Sequence, residues 1–321
     1  MNITWLDQNT PLPAPEAAQK KGSNFAGLVA AGRDLSAARL YEAYQQGIFP
    51  WFSDGQPVLW WSPDPRMVLQ TAEFKLHRSL RKTLDKFIAN PNCEIKIDGN
   101  FGAVIRHCAQ TSRKGQPGTW IVDDMIVAYD ALHAAGFAHS VETWIDGQLV
   151  GGLYCVSIGD TLFGESMFAL QTDASKIALA ALVCFARAHG LAWIDCQQNT
   201  QHLASLGARE MPRSEFLKDV RAAAKNTNYT WRFDRVPRTP DLCRRGADGN
   251  QRLRPVRGRA GQGDRGRDRP GQDAAGGAAV DPRRQPRGRD LQRRVRRRER
   301  LGTAAQVRFR RRRSRLNGFR L

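Results

Sequence analysis

An α+β fold built on one mixed sheet is what this sequence predicts, and three observations carry the prediction. Residues 139–168 read as consecutive strands: HSVETWID, a turn at Asp146-Gly147, then QLVGGLYCVSIG and TLFGESMF. Asp-Gly between two strand-like runs is a strong hairpin signal, because the tight turn needs positive φ at its centre. An apolar helix over residues 174–189 and a strand WIDCQ (193–197) come next, an order that returns the last strand parallel to its neighbour. Finally, the composition breaks at residue 235, so the sheet and its helices are expected within residues 1–234.

The break governs how the charge is read. The chain has 321 residues and a formal net charge of +19, which at face value suggests a nucleic-acid binder. Residues 1–234 hold 22 Lys+Arg against 23 Asp+Glu, whereas residues 235–321 hold 28 Arg, no Lys and 8 acids. All eight Trp, all five Tyr and all six His precede residue 235. The segment after it lacks Ile and Met as well, and 18 of its 87 residues are Gly or Pro. It cannot bury enough apolar surface to offset the ordering of its backbone, and is expected to be disordered. Two origins fit: an Arg-rich arm that folds on RNA, or a GC-rich gene read out of frame, which yields Arg, Gly, Ala and Pro and loses Lys, Ile, Tyr and Met.

The elements of the body follow in order. The first twenty or so residues are rich in Pro and Gln and read as extended. Asp34 or Ser36 caps a short helix whose Leu40, Tyr41 and Tyr44 form an apolar stripe ending at Gly47. IFPWF (48–52), the turn SDGQP and VLWWSPDPRMVL (58–69) read as short strands and tight turns. A helix over 75–88 places Leu76, Leu80, Leu84 and Phe87 on one face and Lys75, Arg78, Arg81, Lys82 and Lys86 on the other. After the strand CEIKI (93–97), Asp98 or Asn100 caps a helix over 101–109, and a loop containing GQPGTWI leads to another near 124–135. Beyond the three strands, Asp173 or Thr172 caps the apolar helix, and HLASLGARE (202–210) closes the body with a short helix and turn.

Several chemistries are excluded by what is missing. No GxxxxGK[ST] loop, HExxH, CxxC or GxSxG occurs. The six cysteines (93, 108, 155, 184, 196 and 243) lack pairing motifs and read as reduced thiols, which places the protein in the cytoplasm. No apolar run reaches the length of a membrane span, and the N-terminus lacks a signal-peptide pattern. No metal and no cofactor are expected.

Seven segments carry a resemblance: DLSAARLYEAYQQGIFPWF, WWSPDPRMVL, GTWI, AHSVETWIDGQLVGGLY, FGESMFA, DASKIALAAL and IDCQ with HLASLGARE. In this order and spacing, over residues 25–217, the chain resembles the leucyl/phenylalanyl-tRNA–protein transferases. The resemblance implies transfer of Leu or Phe, sometimes Met, from aminoacyl-tRNA to an N-terminal Arg or Lys, which marks proteins for N-degron degradation. It implies a small N-terminal domain (1–72) joined to a GNAT-like acyltransferase domain (73–234), with the tail (235–321) apart. The partners are aminoacyl-tRNA and acceptor proteins, with no membrane, and the protein is expected to be a monomer. Cys155 stands where the family pattern has Gly, and Ala169 where it has Ser.

Roles for particular residues come with that resemblance. Asp195 and Gln197 alternate along IDCQ and would share a face. The family assigns this pair to activation of the acceptor amine, Asp195 orienting Gln197; the plain alternative is that Asp195 ends the strand. Glu165, with Phe163 and Met167 on its alternating face and Leu153 opposite, would bind the aminoacyl group; alternatively Glu165 is a structural carboxylate paired with Arg66 or Lys176. Trp51 and Trp120 would stack on the 3′-terminal adenosine of tRNA, and Lys75, Arg78, Arg81, Lys82 and Lys86 would meet the acceptor stem. A CoA-dependent acetyltransferase is disfavoured because the turn ALQTDASK (169–176) lacks Gly and places an Asp where phosphate would lie.

Overall fold

The computed structural model describes residues 3–20, 22–111, 121–223 and 230–231. Trp120 and the segment from residue 235 onward therefore lie outside the described residues. The fold is α+β on two sheets. In the N-terminal part, β1 (Thr4–Leu6), β2 (Leu28–Gly32), β3 (Phe49–Pro50) and β4 (Val58–Trp61) form a four-stranded sheet in the order β1-β2-β4-β3. Helix α1 (Ala37–Gln45) lies between β2 and β3; Ser36 caps it, its hydroxyl accepting the Arg39 N–H at 3.2 Å.

The larger sheet collects strands from residues 66–211. It comprises β5 (Arg66–Gln70), β6 (Cys93–Ile97), β7 (Ala138–Ile145), β8 (Gln148–Ile158), β9 (Thr161–Ala169), β10 (Trp193–Gln197) and β11 (Arg209–Met211), in the order β11-β5-β10-β9-β8-β7-β6. The pairs β6–β7, β7–β8 and β8–β9 are antiparallel, and β9–β10 is parallel, so the expected mixed sheet forms around the crossover helix α5 (Ala174–Ala188). Strand β5, from within the stretch assigned to the N-terminal domain, pairs antiparallel with both β10 and β11. The Asp146-Gly147 turn has φ of 51° and 72°, as the hairpin signal requires.

Helices cover both faces. On one side lie α1, α3 (Phe101–Gln110), α4 (Asp123–Ala134) and α7 (Arg213–Ala223), which share a core with the small sheet and with Tyr154, Val156, Phe163 and Phe168. On the other lie α2 (Arg78–Ala89) and α5, packed with Leu153, Cys155, Leu162 and Ile194. The short α6 (Gln201–Ser205) joins β10 to β11. Cys155 is fully buried in that second core.

Strand β2 is not among the expected elements, β11 forms where a short helix and turn are expected, and two helices also depart from the sequence reading. Helix α2 begins at Arg78, three residues later than expected, because His77 is extended and the Lys75 N–H bonds the Leu206 carbonyl at 2.8 Å. Lys75 is thus not on the helix, although it is exposed with Arg78, Arg81, Lys82 and Lys86. Helix α7, not expected at all, buries Phe216, Leu217 and Val220 at i, i+1 and i+4.

Candidate active site

The parallel pairing of β9 with β10 covers Leu162 with Ile194 and Phe163 with Asp195. Beyond that point both strands lose register with their other neighbours. On β9, Tyr154 faces Ser166 and Cys155 faces Gly164, which leaves Glu165 as the extra residue of a bulge. On β10, Asp195 faces Val68 and Gln197 faces Met67, leaving Cys196 as the extra residue. A cavity of about 500 Å³ occupies the place where the strands part, lined from both bulges.

Its two ends differ chemically. Leu153, Met167, Leu179, Leu182 and Ile194 form an apolar end against α5. Glu165, Gln197, Gln198, Thr200 and His202 bring polar groups to the other parts of the wall, and Phe49, Pro50 and Trp51 add an aromatic rim from β3 and the residue after it. Trp51 is partly buried; its ring meets Trp61 edge-on at 5.9 Å, and Trp61 Nε1 donates to the Trp51 carbonyl at 2.7 Å. That bond fixes the Trp51 backbone at the rim.

Glu165 sits in a small network of hydroxyl and amide groups. Tyr129 Oη donates to its Oε2 at 3.2 Å, Tyr44 and Tyr129 hydroxyls lie 2.5 Å apart, and Gln197 Nε2 reaches its Oε1 at 3.5 Å. Burial pushes the Glu165 carboxyl up to about 8, with the Asp195 charge adding to the rise and the Tyr44 and Tyr129 hydroxyls and Arg66 opposing it. Burial likewise holds both tyrosine hydroxyls well above their ordinary value. Glu165 therefore carries its proton at neutral pH and releases it near pH 8, close to where an α-amino group titrates, about 7.7–8.0.

Asp195 does not itself face the cavity in which the pair it forms with Gln197 is expected to activate the acceptor amine. It is fully buried behind the cavity wall, and its carboxylate takes both arms of Arg66, Nε at 2.8 Å and Nη2 at 2.6 Å. What it does hold is Gln197: the Gln197 backbone N–H donates to Asp195 Oδ1 at 2.9 Å. This bond stabilises Gln197 at φ 57°, a left-handed conformation uncommon outside glycine, which turns its side chain toward Glu165. Asp195 thus orients Gln197 through its backbone and not through its amide. Neither Arg66 nor Lys176 is the partner of Glu165: Arg66 pairs with Asp195, and Lys176 with Asp173.

The expected face shared by Phe163, Glu165 and Met167 is broken by the bulge at Glu165. Phe163 packs into the core on the α4 side, its ring 4.9 Å from that of Tyr44, and does not line the cavity. Met167 lies against the opposite core and lines the apolar end with Leu153. The structure thus brings together Trp51, Leu153, Glu165, Met167 and Gln197, and leaves Phe163 and Asp195 behind the wall. Lys75, Arg78, Arg81, Lys82 and Lys86 are exposed and do not line it.

Sequence reasoning missed Tyr44 and Tyr129, which read as apolar stripe and helix interior, and Leu179 and Leu182, which read as core. It also missed Arg66 as a partner for Asp195. One signal for Arg66 was available: a lone cation at the start of a strand continuing MVL must find an anion when buried.

Comparison with known proteins identifies the family of the chain. A family model described as leucyl/phenylalanyl-tRNA protein transferase matches residues 68–221, and one described as that family's N-terminal domain matches residues 33–64. A leucyl/phenylalanyl-tRNA–protein transferase of Polaromonas sp. is 59% identical over 234 residues, 73% of this chain and 92% of that protein. The enzyme of the same name from Cupriavidus metallidurans is 57% identical over 234 residues, covering 73% of this chain and 94% of its own. A third, from Burkholderia thailandensis, is 55% identical over the same length, with 73% and 92% covered.

Proposed function

The chain belongs to the leucyl/phenylalanyl-tRNA–protein transferase family, and from that premise we propose how its cavity performs aminoacyl transfer. The donor is a Leu or Phe ester of tRNA, and the acceptor is the α-amino group of a protein beginning with Arg or Lys. The observation that carries this reading is the division of one cavity into an apolar end, a polar pair of Glu165 and Gln197, and an aromatic rim at Trp51. Leu153, Met167, Leu179, Leu182 and Ile194 receive the aminoacyl side chain. Trp51 stacks on the terminal adenine, an interaction worth about 1–3 kcal/mol. Trp120 is assigned to the same adenine by resemblance and lies outside the described residues.

The chemistry asks little of the protein. The acceptor enters as an ammonium and passes one proton to the minor fraction of Glu165 that is ionised at neutral pH, a fraction that grows as pH rises toward 8. The free amine attacks the ester carbonyl carbon, the new N–C bond forms, and the bond to the tRNA 3′ oxygen breaks. The second amine proton ends on that oxygen, leaving a peptide and a free tRNA. Gln197 positions the amine by hydrogen bonds, since an amide is too weak a base to retain its proton. Holding two substrates in attack geometry supplies most of the acceleration, up to roughly 7–11 kcal/mol in favourable cases.

Arg78, Arg81, Lys82 and Lys86 on α2, with Lys75 before it, offer the acceptor stem a phosphate-binding stripe that reads no sequence. Action as a monomer in the cytoplasm, feeding N-degron degradation, completes the reading. Among the described residues, no helix is long and apolar enough to cross a membrane. The test is competition by the 3′-phenylalanyl ester of adenosine. It should inhibit transfer competitively against Phe-tRNA, and Met167→Trp, which fills the apolar end, should weaken it at least ten-fold (about 1.4 kcal/mol) while leaving adenosine alone unaffected. Equal loss for adenosine and its phenylalanyl ester would place the side chain elsewhere.

A further inference from the structure

We infer that Arg66 is a positioning residue that sets two walls of the cavity at once. The inference rests on the transfer reading above for its kinetic consequences, although the geometry stands apart from it. Arg66 opens β5 and is fully buried. Its Nε and Nη2 hold both oxygens of Asp195, and Asp195 Oδ1 in turn accepts the Gln197 backbone N–H across the β10 bulge. Its third arm, Nη1, donates to the Gly47 carbonyl at 3.2 Å. Gly47 ends the α1 turn at φ 70° and leads directly into Phe49, Pro50 and Trp51. The guanidinium lies between two rings, 4.8 Å from Phe49 and 4.4 Å from Phe216. One planar cation thus ties the strand carrying Gln197 to the segment carrying Trp51, and α7 holds it from behind.

This geometry uses features that lysine lacks. An ammonium neutralises Asp195 but cannot present two parallel donors to one carboxylate, a third to a carbonyl, and a flat face to two rings. The charge and the geometry of Arg66 are therefore separable by Arg66→Lys. A purely structural role, compensation of a buried carboxylate, would be met by Lys, with stability and activity recovering together. A positioning role predicts that they part: a displacement of about 1 Å in a reacting group costs on the order of 100-fold in rate.

The experiment compares wild type, Arg66→Lys and Phe216→Leu at a temperature where circular dichroism shows each to be folded. Arg66→Lys should lower kcat/KM for Phe transfer about 100-fold, with kcat falling through Gln197 and donor KM rising through Trp51. Phe216→Leu, which keeps Arg66 and Asp195 and removes one ring, should lower kcat/KM by a smaller factor, roughly ten-fold. Hydrogen exchange gives a readout independent of catalysis. In Arg66→Lys the Gln197 amide should exchange faster, while amides in the middle of β8 keep wild-type protection.

Folded Arg66→Lys with wild-type kcat/KM and unchanged Gln197 exchange would overturn the proposal. If Arg66→Lys does not fold, Phe216→Leu decides: lowered thermal stability with unaltered kinetics per folded molecule contradicts the positioning role. Wild type that fails to transfer Phe would instead sink the transfer reading, leaving the exchange comparison to judge Arg66.

Discussion

Replacing Glu165 with Gln removes a carboxyl group that burial holds at about 8 instead of the ordinary 4.5. The sign of the effect follows from proton counting. Between these values the unfolded chain has lost the proton and the folded one has kept it, so the native state binds more protons and stability falls as pH rises. Below pH 4.5 both states are protonated and nothing is lost; above pH 8 the full cost is present and constant. Each pH unit in that window is worth about 1.36 kcal/mol, which sets a ceiling of about 5 kcal/mol. Glu165 lines a cavity and is only partly buried, so solvent screening reduces this to roughly 2 kcal/mol. The amide keeps an acceptor for Tyr129 and has no charge to bury. Glu165→Gln should therefore be more stable than wild type, the gap opening between pH 4.5 and 8, even as transfer activity is lost. Urea denaturation at pH 4.5, 6, 7 and 8.5 measures it. A variant less stable than wild type at pH 8.5, or a gap independent of pH, would refute the account of Glu165 as a carboxyl strained by burial.

The neighbouring carboxylate should respond in the opposite sense. Asp195→Asn strips the buried Arg66 of its counter-charge and should destabilise the fold by about 3–5 kcal/mol in the same urea titration, alongside a loss of turnover. Gly151→Ala is predicted to cost about 1–3 kcal/mol, because its new Cβ would overlap Ala174 Cβ and come 2.8 Å from the Ala174 backbone carbon, forcing the start of α5 off β8; thermal melts check this. Trp51→Ala should raise donor KM by about five-fold to 150-fold, the range that corresponds to losing one stacked base, with kcat less affected. Changing Arg78, Arg81 and Lys82 together to Ala should raise KM for Phe-tRNA and flatten its logarithmic salt dependence by about 0.7–0.9 for each phosphate no longer neutralised. Equal effects of the triple change on phenylalanyl-adenosine would remove the tRNA stem from the explanation.

The sequence carried the fold further than it carried the site. Hairpin chemistry at Asp146-Gly147, the apolar run of α5 and the flanking strands are local signals, and all three led to the mixed sheet that the structure has. Helix α7 was missed because Phe216, Leu217 and Val220 are only three apolar residues among charged ones, and their burial depends on a core supplied by distant α1 and β5. At the site, alternation was assumed to run unbroken through GESMF and IDCQ. A bulge is a mismatch between partners, so nothing within either strand announces it. That is why Phe163 was placed in the cavity and Asp195 beside the substrate. Arg66 and Asp195 are 129 positions apart, and only the sheet order brings them together.

The charge distribution bears on the central claim as well. All of the excess positive charge lies after residue 234, whereas the family match ends at residue 221 and the cavity is built from residues 49–203. The activity is therefore assigned to a body that is close to neutral. The most direct measurement is transfer of radiolabelled Phe or Leu from tRNA to peptides beginning with Arg or Asp, using the full chain and a chain ending at residue 234. The account predicts label on the Arg peptide and not on the Asp peptide, at the same rate with both chains. Label on neither peptide, equal label on both, or transfer by the full chain alone would contradict it.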